Sequence, residues 1–104
     1  PDGYRLNITD SLMRLRYRAG MDQPTPLEPG EVYEVTFPLY PTSNVFAAGH
    51  RIELLISSSS FPRFDVNPNT GEPIGRHTHM RAAENTLHHS AAYPSKLTLP
   101  VIPG

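Results

Sequence analysis

Twelve prolines and seven glycines interrupt this 104-residue chain, about one breaker every five or six residues, and no other feature limits its fold so sharply. Proline inside a helix removes a backbone donor and clashes with the turn before it, at a cost of ~3 kcal/mol or more. Several long helices are therefore excluded, and short strands joined by turns remain. The length admits one domain at most, and a domain of this size buries roughly two-thirds of the surface that its unfolded chain exposes.

Between the breakers the apolar residues recur with period two. Met13, Leu15 and Tyr17 alternate with Arg14, Arg16 and Arg18, which predicts a strand with one apolar face and one guanidinium face. Upstream, Tyr4, Leu6 and Ile8 alternate with Arg5, Asn7 and Thr9, and the Asp10-Ser11 break allows a hairpin between the two. Tyr33, Val35, Phe37 and Leu39 mark another strand, which Pro38 confines to a sheet edge or ends. Ile52, Leu54 and Ile56 share a face opposite Glu53 and Leu55. Leu55 on that second face predicts an inner strand covered on both sides. Residues 81–88 fit a helical turn as well as a strand and are read as a strand, and Leu97, Leu99 and Val101 alternate before the last prolines. Five or six short strands without repeats predict an all-β fold, an antiparallel β-sandwich of jelly-roll type.

Charge and composition remove several classes of function. Nine basic and ten acidic residues leave a formal net charge of −1, so no global field draws the chain to nucleic acid or to an anionic membrane. No apolar run approaches the roughly 18 residues of a membrane span, and Pro1 to Asp10 has neither the basic nor the apolar part of a signal peptide. The chain has no cysteine, which excludes a disulfide framework and a thiolate zinc site and suits a reducing cytosol.

Four groups of residues invite a chemical reading. Ser57 to Ser60 follow a strand and lack the flanking glycines of a nucleophile elbow, so the run reads as a polar strand end. In "DVNPNTG", Asp65, Asn67 and Asn69 match the first, third and fifth positions of an EF-hand calcium loop. Thr70 and Arg76 then fall where that loop needs its glycine and its bidentate glutamate. The segment reads as an Asx-rich turn. His77 and His79 share a strand face, and His88-His89 would approach them if the strands pair, but no carboxylate stands at ligand spacing. His50 follows a turn and reads as structural. Arg14, Arg16 and Arg18 have no aromatic interleaved on their face, which favours carboxylate partners within the sandwich or on a neighbouring domain over a nucleic acid.

The blocks "PDGYRLNITDSLMRLRYR", "PLEPGEVYEVTFPLYPTSNVFAAGHRIELLISSSSFPRFDVNPNTGE" and "HHSAAYPSKLTLPVIP" resemble consecutive parts of the C-terminal domain of X-Pro dipeptidyl-peptidases and of the related cocaine-esterase-like acyl hydrolases. The resemblance covers nearly the whole chain. It implies a parent serine hydrolase with an α/β-hydrolase catalytic domain, a helical cap and a C-terminal sandwich of galactose-binding-like jelly-roll type. It also implies that nucleophile, base and oxyanion donors lie in upstream sequence. No catalytic, cofactor-binding or metal-binding residue is therefore assigned to this chain, and no cofactor is expected. "PDGY" resembles a point near the middle of the family's sandwich, so residues 1–104 are expected to form a partial C-terminal domain. Open sheet edges and an uncovered apolar face would then favour association with the catalytic domain and cap of the parent chain, or with a second copy.

Within that frame Ser57 to Pro73 reads as a strand end followed by a shaped loop that borders the cleft or the domain interface. Phe61 and Phe64 are its apolar anchors, Arg63 and Asp65 its candidate ion partners, and Asn67 and Asn69 its turn formers. The preferred function is that of a non-catalytic domain completing and orienting the active-site cleft of a serine acyl hydrolase acting on X-Pro peptides, esters or amides. The alternative is a carbohydrate-binding jelly-roll module, although such sites usually stack sugars on exposed aromatics and the chain has no tryptophan. A histidine-based, cupin-like metal enzyme is the third reading.

Overall fold

The computed structural model describes residues 3–73 and 75–103, which belong to two units, Pro1–Asn67 and Pro68–Gly104. Among the described residues the one regular element is a 3-10 helix, Leu15–Tyr17. The alternating segments are not joined into hydrogen-bonded ladders there.

In the first unit the 3-10 helix interrupts the segment whose alternation predicts a strand. Arg14 enters it extended (φ −85°, ψ 110°) and Arg18 closes it in the helical region, with Tyr17 N–H donating to Arg14 O at 2.8 Å and Arg18 N–H to Leu15 O at 3.2 Å. The reason lies in side chains that a period-two count ignores. The Arg18 guanidinium donates through Nη1 to the carbonyls of Leu15 at 3.1 Å and Thr25 at 2.5 Å. It also lies 4.5 Å from the centroid of the Tyr33 ring. Tyr33 Oη in turn accepts from Glu28 N–H at 3.0 Å. Carbonyls that a ladder would otherwise satisfy are thus met by one arginine.

The breakers act where the sequence places them. Glu31 N–H donates to Glu28 O at 3.2 Å across Pro29-Gly30, and Gly30 has φ +86°. Proline presets the first corner of such a turn, and glycine supplies the left-handed second corner. His50 N–H closes a similar turn on Ala47 O at 3.1 Å, with Gly49 at φ +82°. Distant parts of this unit are tied by few bonds. Tyr40 N–H donates to Asp10 O at 3.3 Å, the Thr9 hydroxyl donates to Tyr40 O at 2.8 Å, and Arg5 Nε lies 3.1 Å from Glu53 Oε2.

In the second unit Arg81 N–H donates to Pro68 O at 2.9 Å, and Pro68 is buried. Near the end of the chain the His88 and Tyr93 rings meet at 5.3 Å with a 54° tilt. The Ser95 hydroxyl donates to His88 O, and Tyr93 N–H donates to Ser90 Oγ at 3.2 Å.

Apolar side chains do not close over one another in either unit. Among the described residues no apolar side chain but that of Pro68 is buried, and Leu55, expected to face a covering layer, is 78% exposed. The accessible surface of 9836 Å² exceeds the about 7,000 Å² that two separate compact bodies of these sizes would present. Val45, Leu55, Phe61 and Ile102 are among the large apolar side chains left exposed.

Candidate functional site

The loop singled out by sequence is built by its own hydroxyls and amides. Ser57 Oγ donates to Ser59 O at 2.8 Å, Ser59 Oγ accepts from Phe61 N–H at 3.3 Å, and Phe64 N–H donates to Ser60 O at 3.1 Å. The Phe61-Pro62 peptide is cis. A catalytic serine offers its hydroxyl to a base and its face to a substrate. Ser57 and Ser59 instead bond to backbone two residues on, as turn-forming serines do.

Arg63 leaves this turn to reach a distant partner. Its Nη1 donates to Asp10 Oδ1 at 2.8 Å and Oδ2 at 2.9 Å. The guanidinium carbon also lies 5.7 Å from the Tyr40 ring centroid and 5.4 Å from that of Phe64. Asp65, the neighbouring carboxylate, is not its ion partner. Because Tyr40 N–H also binds Asp10 O, three separate segments meet at this arginine. Phe61 stays 70% exposed. Phe64 is half-buried and lines an apolar groove of about 280 Å³ together with Leu12, Met13, Arg14, Tyr17 and Met21.

Of the remaining loop residues, Asp65 and Asn67 belong to the first unit and Asn69 to the second. Asn69 adopts φ +58°, the one left-handed non-glycine conformation among the described residues, and its Nδ2 donates to Arg81 O at 2.9 Å. With Arg81 N–H returning to Pro68 O, this amide fastens the turn to residue 81. This is a bond to a carbonyl twelve residues on, not the local one of an Asx turn.

One carboxylate that the sequence reading passed over organises the second unit. Glu72 Oε2 accepts from the Thr70 hydroxyl at 2.8 Å and from Thr78 N–H at 3.4 Å, while Oε1 accepts from the Thr78 hydroxyl at 3.2 Å. His79 Nδ1 stands 3.6 Å from Oε2 and 3.2 Å from the Thr78 hydroxyl. The Thr70 hydroxyl holds the Glu72 carboxyl below its ordinary range, against the opposing effect of desolvation and with help from Thr78 and His79. The available signal was local: two threonines and a histidine lie within seven residues of a glutamate in a turn-rich segment. Among the described residues no three His, Asp or Glu side chains gather into a group able to hold a metal ion.

These features have the character of a structural module, with hydroxyls, amides and guanidinium groups spent on shaping loops. The chain belongs to the family of the X-Pro dipeptidyl-peptidase C-terminal non-catalytic domain, whose family model matches residues 1–98. It is 44% identical over 104 residues to the cocaine esterase of Rhodococcus sp. (strain MB1 Bresler), covering 98% of this chain and 18% of that protein. Proteins of Mycobacterium bovis and Mycobacterium tuberculosis named "Putative serine esterase" are each 32% identical over 77 residues, covering 74% of this chain and 10% of theirs. The chain therefore spans less than a fifth of the length of these relatives. No solved structure matches it significantly.

Proposed function

We propose that this chain is the C-terminal accessory domain of a serine acyl hydrolase, and that it completes and orients the active-site cleft of that enzyme. The observation that carries the reading is the match of residues 1–98 to a family defined as non-catalytic. The esterase names of much longer relatives support the parent activity. X-Pro peptides, esters and amides of small acyl groups remain the substrate classes, because the groups that select among them would belong to the catalytic domain and cap.

The same reading includes the antiparallel jelly-roll sandwich, of which residues 1–104 would supply the C-terminal strands. Alternation at Tyr4–Ile8, Tyr33–Leu39, Ile52–Ile56 and Leu97–Val101 supports it. The uncovered apolar surface is what strands lacking their partner layer would present. Phe61, Arg63, Phe64, Asp65, Asn67 and Asn69 would border the cleft or the domain interface. The hydrogen bonds that shape this loop, together with the Arg63–Asp10 pair, support a fixed rather than a trailing loop.

The experiment is to capture the native polypeptide with a fluorophosphonate, which labels activated serines. The expected result is a chain several times longer than 104 residues, labelled at a serine outside this segment. Labelling within Ser57 to Ser60 would overturn the reading, as would an unlabelled native chain of only this length.

A further inference from the structure

We draw no further inference here: the strongest candidate, the side-chain cluster of Thr70, Glu72, Thr78 and His79 in the second unit, belongs to the loop already described, and its His79–Glu72 contact is a solvated 3.6 Å pair that points to no ligand or partner.

Discussion

Arg63 and Asp10, 53 residues apart in sequence, form a side-chain pair in which one guanidinium nitrogen bonds both carboxylate oxygens at 2.8 and 2.9 Å. Both side chains are about half exposed, at 52% and 49%, so the pair is worth roughly 0.2–1 kcal/mol, with about 0.5–1 kcal/mol more from the Tyr40 and Phe64 rings. In the full-length polypeptide Arg63→Ala is expected to lower the melting temperature measurably. A double-mutant cycle should show Arg63 coupled to Asp10 and not to Asp65. Coupling to Asp65 of equal size would contradict the geometry.

Glu72 ties Thr70, Thr78 and His79 into one loop. Its folded-state carboxyl titrates below the ordinary value of 4.5. A depressed folded pKa contributes stability that is complete above the unfolded value and lost as pH falls through the folded one. Hydrogen exchange at the Thr78 amide should accordingly rise on acidification below pH 4.5, beyond the intrinsic pH dependence of exchange. Glu72→Gln should abolish that extra response; an unchanged acid transition in this variant would show that another group controls the loop.

Asn69 combines a left-handed backbone with a side-chain bond to Arg81 O. Asn69→Ala keeps the Cβ but surrenders the side-chain bond and the tolerance of the left-handed region that a short polar side chain gives, and should cost about 1–2 kcal/mol. Asn69→Gly keeps the backbone conformation and should lose only the side-chain bond, about 1 kcal/mol. Chemical denaturation of the two variants compares them directly. Equal losses would mean that the backbone conformation contributes nothing.

Ser59 serves the turn into Phe61. Ser59→Ala should cost about 1 kcal/mol at most and leave fluorophosphonate labelling and ester turnover intact. Loss of labelling with the fold preserved, as judged by circular dichroism, would place the nucleophile in this run.

Much of the local architecture was legible in the residue order. Pro29-Gly30, Gly49 and the Asn69–Gly71 corner turn where their residue types predict, because a positive φ is a requirement that a single residue meets or fails. In the serine run, whose neighbours lack the flanking glycines of an elbow, Ser57 and Ser59 bond to backbone two residues on. The alternation at Met13–Tyr17 misled. Leu15–Tyr17 winds into a 3-10 helix because Arg18 finds carbonyls at Leu15 and Thr25 and a ring at Tyr33. Periodicity counts faces and cannot register where a guanidinium finds its acceptors.

By itself, then, the sequence determined the family, the positions of the turns and the misfit of residues 65–76 to a calcium loop. These depend on residue identity and on neighbours within a few positions. The tertiary structure alone decided that Arg63 takes Asp10 instead of Asp65, that Glu72 gathers two threonines and a histidine, and that Arg14 shares an apolar groove with Met13, Met21 and Phe64. Each of these depends on the distance between side chains after the backbone has turned several times. Nothing in the order of residues distinguishes one carboxylate from another of the same chemistry.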